Sequence, residues 1–326
     1  MTNRHLSEIT QTVETELSKF NELFKRSLKS KVALVDLVTR YILKQKGKKI
    51  RPLLVLLSSK VCGGITERSY RGATLVELLH TATLVHDDVV DNAETRRGFP
   101  SINSVWKNKI AVLMGDYLLS RGLMLAVGDN DFDFLHVITD TVKRMSEGEL
   151  LQISKTRKLN IDEPTYFSII SDKTASLLST CCEIGARAST EDKLKITAMK
   201  EFGENLGMAF QIRDDILDLI GTKKMFGKPL GGDIKEKKIT LPLIYSLSQS
   251  PNDESKNIIK QIKKGPKKVE INDVISFIHK YDGINYADKV AVEYSTKALD
   301  NLKIFEASET RIALEALVSF VVERKN

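Results

Sequence analysis

The sequence contains few cysteines, and their placement does not favour cross-linking. Only three occur in 326 residues, and two of them, Cys181 and Cys182, are adjacent. Such a set provides neither a disulfide framework nor a zinc ligand set. We therefore expect small buried core residues in a protein of a reducing compartment.

Proline and aromatic residues are also scarce. Aromatic residues make up 6% of the chain, and all seven prolines fall where a helix could begin or end. Between them, apolar residues recur with helical rather than alternating spacing, so no sheet is predicted. This pattern indicates an all-α fold and a single domain over residues 1–326. Helices are expected near residues 6–29, 31–45, 52–62, 67–91, 101–127, 131–156, 163–189, 192–220, 236–249, 253–263, 269–280, 283–304 and 307–324.

Several functional classes are excluded by what the sequence lacks. The first residues lack the apolar core of a signal peptide, and no run approaches the ~20 apolar residues that span a bilayer. We therefore expect a cytoplasmic protein. The net charge of +7 comes without zinc-finger spacing or an RNA-binding aromatic signature, which argues against nucleic acid as a partner. Small anionic substrates fit the charge better, because a positive field concentrates them.

Two aspartate clusters of identical spacing are the most informative feature of the chain. They are Asp87-Asp88-Val89-Val90-Asp91 and Asp214-Asp215-Ile216-Leu217-Asp218, each within a long apolar segment that is predicted to be helical. On a helix, this spacing places three carboxylates on one face, where they repel one another. Clustered carboxylate oxygens suit a hard cation such as Mg²⁺, which also binds substrate phosphates. Two facing clusters therefore predict a diphosphate bridged by metal ions.

A solvated acidic patch is the alternative interpretation of these clusters. Chance accounts for one such motif in a chain of this composition, but hardly for two. Apolar residues also interleave both motifs, including Leu84 and Val85 in the first and Ile212 and Leu219 in the second. We therefore expect mostly buried helices whose aspartates face a cavity.

Three irregular segments carry basic residues beside glycine or proline. They are residues 46–52, 92–100 and 221–233. A single basic loop is usually a solvated turn, but three of them together with two acidic clusters indicate loops that grip an anion. The third segment, with Gly227-Lys228-Pro229, is expected to act as a mobile flap.

In its motifs the sequence resembles the trans-polyprenyl diphosphate synthases, a family of trans-prenyltransferases. The resemblance covers nearly the whole chain, and its motifs appear in the family's order. They are Gly47–Pro52, Glu77–Asp91, Arg96–Gly98, Gly115–Asp116, Gly148–Gln152, Lys173–Ala175 and Phe210–Asp218, continued by Gly227–Pro229, Lys238 and Thr240–Pro242. Arg213 departs from the pattern, because the family commonly has an apolar residue there.

The resemblance implies the isoprenoid synthase fold, with long helices around a central cavity and the two motifs facing each other across its mouth. It implies that three Mg²⁺ ions bind carboxylates of both clusters, namely Asp87, Asp88, Asp91, Asp214 and Asp218. Asp215 and Lys173 are further catalytic candidates. The residues implied for the allylic diphosphate are Arg96, Lys173, Thr174, Gln211, Lys228 and Lys238. Those implied for isopentenyl diphosphate, which binds without metal, are Lys48, Arg51, His80 and Arg97.

The residues before the first cluster bear on product length. In the family, the fourth and fifth positions before the first aspartate limit chain growth, and here they are the small residues Thr83 and Ala82. The hydrocarbon tail of the growing product is therefore expected to extend along this helix past Ala82 and Thr83. The helix provides roughly 30 Å between Glu67 and Asp87, enough for about six or seven isoprene units, which predicts a product of about C35–C45. Phe134 and Ile138 are candidates for the residues that close the far end of the tunnel in which this tail would lie.

Three alternatives remain beside a long-chain synthase. A short-chain synthase, making C15 or C20 products, would share the same chemistry. A terpene cyclase would need no isopentenyl site, and Lys48, Arg51 and the second aspartate motif argue against it. A non-catalytic subunit of a heteromeric synthase would typically lose aspartates, whereas all six are present. The resemblance implies a homodimer, with at most peripheral membrane contact during product release.

Overall fold

The computed structural model describes residues 2–45, 47–96, 98–220, 231–265 and 269–322, with side chains from Leu6 onward. This part of the chain is almost entirely helical, which confirms the predicted fold class. A π-helix, Ser171–Ala175, lies between two α-helices, and a 3-10 helix, Leu302–Ile304, follows the fifteenth. The α-helices are α1 Thr2–Gln11, α2 Glu14–Ser27, α3 Ala33–Lys44, α4 Ile50–Cys62, α5 Glu67–Val90, α6 Ile102–Gly128, α7 Phe132–Lys158, α8 Glu163–Ile170, α9 Ser176–Arg187, α10 Lys193–Ile220, α11 Gly232–Lys235, α12 Leu241–Gln249, α13 Asn252–Lys263, α14 Ile271–Lys280, α15 Gly283–Asn301 and α16 Glu309–Val322.

Local sequence explains where two important helices begin. At the start of α5, the Thr66 side chain accepts a hydrogen bond from the Ser69 amide, and the Ser69 side chain accepts one from the Thr66 amide. At the start of α8, the Asp162 side chain accepts a hydrogen bond from the Thr165 amide, and Pro164 occupies the first turn. These caps determine where α5 and α8 begin. Helix α5 ends in the first aspartate cluster, and α8 leads into the π-helix.

Two hydrophobic clusters hold the long helices together. The first includes buried residues of α4, α5 and α9, such as Leu56, Leu79 and Ile184. The second includes buried residues of α12, α14 and α15. Helix α10 contributes to both, with Phe202 in the first and Ile216 in the second. Helix α15 also contributes to both, with Ala298 in the first and Ala287 in the second. A single domain over residues 1–326 stays a prediction.

A short hairpin lies between α5 and α6. Strand β1, Thr95–Arg96, pairs antiparallel with strand β2, Phe99–Pro100. This pairing of two residues with two residues does not alter the all-α fold class. Gly98 has a φ of 79°, which glycine adopts without steric cost and which tight hairpin turns require. An Arg-Gly pair between two short segments was the available signal for this turn.

Two predicted helices have different boundaries in the structure. The segment predicted as 6–29 divides into α1 and α2 at Val13, which is fully buried and has a φ of −138°. Burial of a β-branched side chain here outweighs helix continuity. The helix predicted over 236–249 begins only at Leu241, with Pro242 in its first turn. Proline favours the first turn of a helix because it lacks an amide hydrogen, which explains the late start.

Helix α6 corrects the expectation that no segment could cross a bilayer. An 18-residue window within Ile102–Gly128 has a mean hydropathy of 1.6, and 33% of that window is buried. By length and composition alone, this helix could span a membrane. Part of its apolar surface packs against α5. The rest is exposed and includes Val105, Val112, Leu113, Met124 and Val127.

Candidate active site

Both aspartate clusters lie at the C-terminal ends of long helices. Asp87 and Asp88 are in the last turn of α5, and Asp91 is its C-cap residue. Asp214, Asp215 and Asp218 occupy the last two turns of α10. The C-terminal end of a helix carries a partial negative charge, so carboxylates there are unfavourable unless cations lie nearby. This location therefore requires positive charge from side chains or metal ions.

The first cluster contains two carboxylates in different environments. Asp88 is 3% exposed, and its Oδ1 accepts hydrogen bonds from Nε and Nη2 of Arg96 at 2.8 and 2.5 Å. Burial, together with the neighbouring carboxylates of Glu149 and Asp91, raises the pKa of Asp87 to about 6. A carboxylate in such surroundings is stabilised when a cation binds beside it. The first cluster is thus suited to accept a metal ion at Asp87.

The second cluster contains a carboxylate that other side chains enclose. Asp215 is 4% exposed and accepts hydrogen bonds from the Tyr166 hydroxyl at 2.7 Å and from Gln211 Nε2 at 2.8 Å. Burial raises the pKa of Asp215 well above its ordinary range, and the charge of Asp233 adds to this shift. Tyr166 was not predicted, because nothing in the sequence links it to a motif 49 residues away.

Asp218 forms hydrogen bonds with the backbone of residues 231–233. Its carboxylate oxygens accept hydrogen bonds from the amides of Gly232 and Asp233, both at 3.1 Å. Its backbone carbonyl accepts a further bond from the Gly231 amide at 2.9 Å. Lys228 and most of the predicted flap lie outside the described residues.

The π-helix lies between the two clusters. A single α-helix was predicted over 163–189, and the structure corrects this by a π turn at Ser171–Ala175. Such turns contain one extra residue and often occur at functional sites. Thr174 Oγ1 donates a hydrogen bond to Gln211 Oε1 at 2.8 Å, and Gln211 in turn bonds to Asp215. Thr174 therefore contacts the second cluster through one intermediate side chain.

Lys173, the residue before Thr174, is directed towards the first cluster. Its Nζ lies 2.5 Å from Glu149 Oε2 and 3.3 Å from Gln152 Oε1. Although burial raises the pKa of Asp87, the charge of Lys173 opposes that rise. Glu149 and Gln152, which belong to the Gly148–Gln152 motif, orient the ammonium group.

A cavity of about 110 Å³ opens beside the π-helix. Its lining includes four residues that were predicted to bind the allylic diphosphate, namely Lys173, Thr174, Gln211 and Lys238. Lys238 forms an ion pair with Glu236 at 2.6 Å. Burial alone would lower the pKa of Lys238, but its acidic neighbours Glu236, Asp233 and Asp91 outweigh that effect, so the pKa lies above its ordinary value. Lys238 therefore remains cationic between residues of both clusters.

A second cavity, of about 230 Å³, lies at the start of α4. It is lined by three of the four residues that were predicted for isopentenyl diphosphate, namely Lys48, Arg51 and His80. The fourth, Arg97, lies outside the described residues. His80 is 7% exposed and lies two turns before Asp87 on α5. The structure thus brings these three basic side chains to one cavity near the first cluster.

Two further charged residues that were not predicted also line this second cavity. They are Lys49, in a left-handed conformation with φ 48° and ψ 38°, and Glu77. Both also line an adjoining cavity of about 560 Å³ that reaches Asp88 and Arg96. Burial lowers the pKa of Lys49. The signal for Lys49 was its place within the basic Gly47–Pro52 segment.

Carboxylate oxygens of the two clusters are the donors that a hard divalent cation prefers. Within the described ranges, however, no three His, Cys, Asp or Glu side chains are grouped so that they could hold a metal ion by themselves. Mg²⁺ commonly takes one or two protein carboxylates and completes its octahedron with water and substrate phosphate oxygens. The environment of Asp87 fits that mode of binding.

The residues predicted to control product length lie along α5. Ala82 is 2% exposed, and Thr83 Oγ1 donates to the His80 carbonyl at 2.9 Å. Further down α5, a Cβ atom on Gly72 would lie 3.3 Å from the ring of Phe134, which is 1% exposed. Phe134 therefore lies against α5 at the level of Gly72, roughly 22 Å below Asp87 at the rise of an α-helix.

Comparison with known proteins agrees with this arrangement. The family model described as polyprenyl synthetase matches residues 32–278. The chain is 31% identical to a short chain isoprenyl diphosphate synthase of Methanothermobacter thermautotrophicus over 95% of this chain and 98% of that protein. It is 34% identical to heptaprenyl diphosphate synthase component 2 of Bacillus subtilis, over 98% of this chain and 89% of that protein.

Among solved structures, the fold is similar to that of a polyprenyl synthase from Caulobacter crescentus CB15, crystallised with calcium and isoprenyl diphosphate. The TM-score is 0.91 and the identity 32%, with 98% of each chain covered. This likeness confirms the isoprenoid synthase fold. With its helical fold, its paired aspartate clusters and these relatives, the chain belongs to the polyprenyl synthetase family and is a trans-prenyltransferase.

Proposed function

We propose that this enzyme condenses isopentenyl diphosphate with an allylic diphosphate to make a longer trans-polyprenyl diphosphate, with Mg²⁺ as its cofactor. The observation that carries the proposal is the position of Lys173 and Thr174 between the two aspartate clusters, beside a cavity that Lys238 also lines. Cationic donors facing paired carboxylates suit a diphosphate that is bridged by metal ions. The separate basic cavity at α4 supplies a place for the second diphosphate.

In this proposal the allylic diphosphate binds between the clusters, with three Mg²⁺ ions held by aspartates of both motifs. Asp88 and Asp218 already accept hydrogen bonds, from Arg96 and from backbone amides respectively. A metal ion at either carboxylate must share or replace those bonds. Arg96, Lys173, Thr174, Gln211, Lys228 and Lys238 are the proposed protein contacts of this diphosphate.

The chemistry follows from the need for one diphosphate to leave while the other stays. When bound, Mg²⁺ supplies Lewis-acid stabilisation of charge on the departing group. Lys173 and Lys238 add fixed positive charge where the allylic C–O bond breaks. Lys48, Arg51 and His80 hold isopentenyl diphosphate so that its double bond attacks the allylic carbon, which makes the step effectively unimolecular. Loss of a proton to the released diphosphate then leaves a product one unit longer.

We further propose a long-chain product of about C35–C45. The small side chains of Ala82 and Thr83 support it, because they would obstruct a product that grows along α5 less than aromatic side chains would. One observation favours the short-chain alternative. Phe134 lies roughly 22 Å below Asp87, which is about four isoprene units if each takes about one helical turn. A C35–C45 product therefore requires the hydrocarbon tail of the product to extend past Phe134.

We also propose a cytoplasmic homodimer that associates through the exposed apolar face of α6. This face consists of Val105, Val112, Leu113, Met124 and Val127. Exposed apolar patches of this kind commonly mark protein interfaces, because their burial is favourable. Membrane contact, if it accompanies product release, is peripheral in this proposal.

The test is mass analysis of products made by the purified protein from isopentenyl diphosphate and either farnesyl or geranylgeranyl diphosphate. We expect condensation that requires Mg²⁺ and stops when the metal is chelated, with products well beyond C20. Termination at C15 or C20 with shorter allylic substrates would keep the chemistry and overturn the long-chain proposal. Absence of condensation would favour a non-catalytic subunit of a heteromeric synthase.

Two variants make the test specific to the proposed site. Asp87→Asn removes a proposed metal ligand and is expected to lower kcat at least about a hundredfold, because metal stabilisation of the leaving group is lost. The matched control is Asp140→Asn, which changes an exposed aspartate on α7. Equal activity of the two variants would argue against a metal site at the first cluster.

A further inference from the structure

The π-helix that carries Lys173 and Thr174 is packed tightly between two long helices. A Cβ atom on Gly148 of α7 would lie 3.0 Å from Asp172 Cβ, and one on Gly207 of α10 would lie 2.5 Å from the Ala175 Cα. The distance at Gly207 is too short for a larger residue, and the one at Gly148 is tighter than most Cβ contacts, so both glycines allow the backbone of the π turn to lie close to the two helices. The turn is thereby confined from two sides.

A cluster of polar side chains holds the N-terminal end of the same turn. Arg144 Nε donates to Asp172 Oδ1 at 2.8 Å, and its Nη2 donates to Ser171 Oγ and Glu204 Oε1, both at 3.0 Å. Ser171 Oγ in turn donates to Glu204 Oε1 at 2.5 Å. Arg144 belongs to α7 and Glu204 to α10, so one guanidinium group links both helices to the π turn.

This cluster is distinct from the diphosphate site. Arg144 and Glu204 do not line the cavity beside Lys173, whereas Arg144 lines a separate polar cavity of about 260 Å³ with residues of α7, α9 and α10. The Arg144, Asp172 and Glu204 side chains are 27–29% exposed. The cluster therefore contacts the π turn but not the groups that would touch substrate.

We propose that Arg144 is a positioning residue, which keeps the π turn in register so that Lys173 and Thr174 reach the allylic diphosphate. The inference rests on the proposed function, because it assigns Lys173 and Thr174 to that substrate. A π turn holds one residue more than an α turn and persists only where its surroundings stabilise it. Relaxation to an α turn displaces the register by one residue, which rotates Lys173 by about 100° around the helix axis.

The experiment compares steady-state kinetics of the parent and of Arg144→Met with Mg²⁺, isopentenyl diphosphate and geranylgeranyl diphosphate. Methionine keeps much of the side-chain length and removes all the donors. We expect kcat/KM for geranylgeranyl diphosphate to fall roughly tenfold to a hundredfold, as misplacement of binding groups by about 1 Å does. The KM for isopentenyl diphosphate should stay unchanged, because its cavity at α4 does not involve the π turn.

Arg311→Met is the matched control. Arg311 is 25% exposed against 28% for Arg144, and it forms an ion pair with Glu315 far from the π turn in sequence. A purely structural role of Arg144 would reduce the active fraction of Arg144→Met and leave its KM for geranylgeranyl diphosphate unchanged. Asp172→Asn weakens the same contact with little change of shape and replaces Arg144→Met if that variant does not fold.

A second readout is a double-mutant cycle with Lys173→Ala. If Arg144 acts through Lys173, then Arg144→Met should cost much less in the Lys173→Ala background than in the parent. Fully additive effects, or unchanged kinetics of Arg144→Met in an active parent, would overturn the inference. An inactive parent would instead refute the proposed function, and with it the assignment of Arg144.

Discussion

Burial changes the chemistry of single side chains in this enzyme, and the cysteines show it clearly. All three are free and buried, which confirms their prediction as small core residues. Burial raises the pKa of Cys62 and Cys182 to about 12, and that of Cys181 well above its ordinary range. Thiolate is the reactive form of cysteine, so these thiols are inert in the folded protein.

We therefore expect none of the three cysteines to react with iodoacetamide at pH 8 in the folded enzyme within an hour. In guanidinium chloride all three should react, because the unfolded thiols have ordinary pKa values. Mass spectrometry of the alkylated protein counts the modified sites directly. Rapid labelling of the native protein at Cys62 would contradict the burial described here.

At the scale of elements, an ion pair between helices contributes stability that depends on pH. Asp131 is the residue before α7, and its carboxylate lies 2.8 Å from Arg68 Nε and 2.7 Å from Arg71 Nε of α5. Although burial raises the pKa of Asp131, the hydrogen bonds from Arg71 and Arg68 lower it below its ordinary value. The folded state thus favours the ionised form. The stabilisation is present above the unfolded pKa and is lost as pH falls through the folded pKa.

We expect Asp131→Asn to lower the free energy of unfolding by about 2 kcal/mol at pH 7, because it leaves two arginines short of their charged partner. Below about pH 4 the difference from the parent should narrow, since Asp131 becomes protonated first in the unfolded chain and, at lower pH, in the folded protein. Urea unfolding at pH 7, 5 and 3 measures both effects, with Asp140→Asn as an exposed control. A difference that stays constant with pH would show that the charge of Asp131 is unimportant.

Close packing of α4 against α9 gives a second prediction at this scale. A Cβ atom on Gly185 of α9 would lie 2.3 Å from the Val55 carbonyl oxygen and 2.7 Å from Ser58 Cβ. Because backbone cannot move aside easily, Gly185→Ala should destabilise the enzyme by about 3 kcal/mol. Gly128→Ala is the control, since nothing lies within 4 Å of its added methyl group. Equal thermal unfolding temperatures for the two variants would contradict this account of the packing.

At the scale of the whole molecule, the apolar face of α6 predicts the oligomeric state. Light scattering should give the parent a mass near twice 36.6 kDa. Leu113→Lys, which places a charge in the middle of that face, should shift the protein towards monomer. Leu194→Lys on α10 is the control, because Leu194 is exposed outside the α6 face. A monomeric parent, or a fully dimeric Leu113→Lys variant, would argue against this interface.

Product length is the other property of the whole molecule, because it depends on helices that are distant in sequence. If Phe134 forms the end of the tunnel, Phe134→Ala should lengthen the products by one or more C5 units, since the cavity that it leaves extends the tunnel. If the tail already passes Phe134, the parent should make products well beyond C20 and the variant the same ones. Mass analysis of the two product ladders distinguishes these outcomes, with Ile138→Val as a milder change on the same helix.

Much of the fold was predictable because its signals are local. Apolar spacing gave the long helices, and Asp162 with Pro164 marks the start of α8 as the rules of capping require. The break at Val13 and the hairpin at 95–100 were missed, because burial and turn geometry outweighed local helix propensity there. The π turn was missed for a related reason. No residue pattern distinguishes an i to i+5 bond from an i to i+4 bond.

The sequence by itself determined the family and the helical fold, and it predicted the chemical character of the site, since two spaced aspartate clusters with basic loops favour a metal-bridged anion. The tertiary structure alone decided how those groups are used. In the folded chain, Arg96 donates hydrogen bonds to Asp88, and Tyr166 donates one to Asp215. Lys173 lies between the clusters on a π turn that Arg144 contacts. These pairings join helices distant in the chain, and only packing of the whole molecule determines which side chains meet.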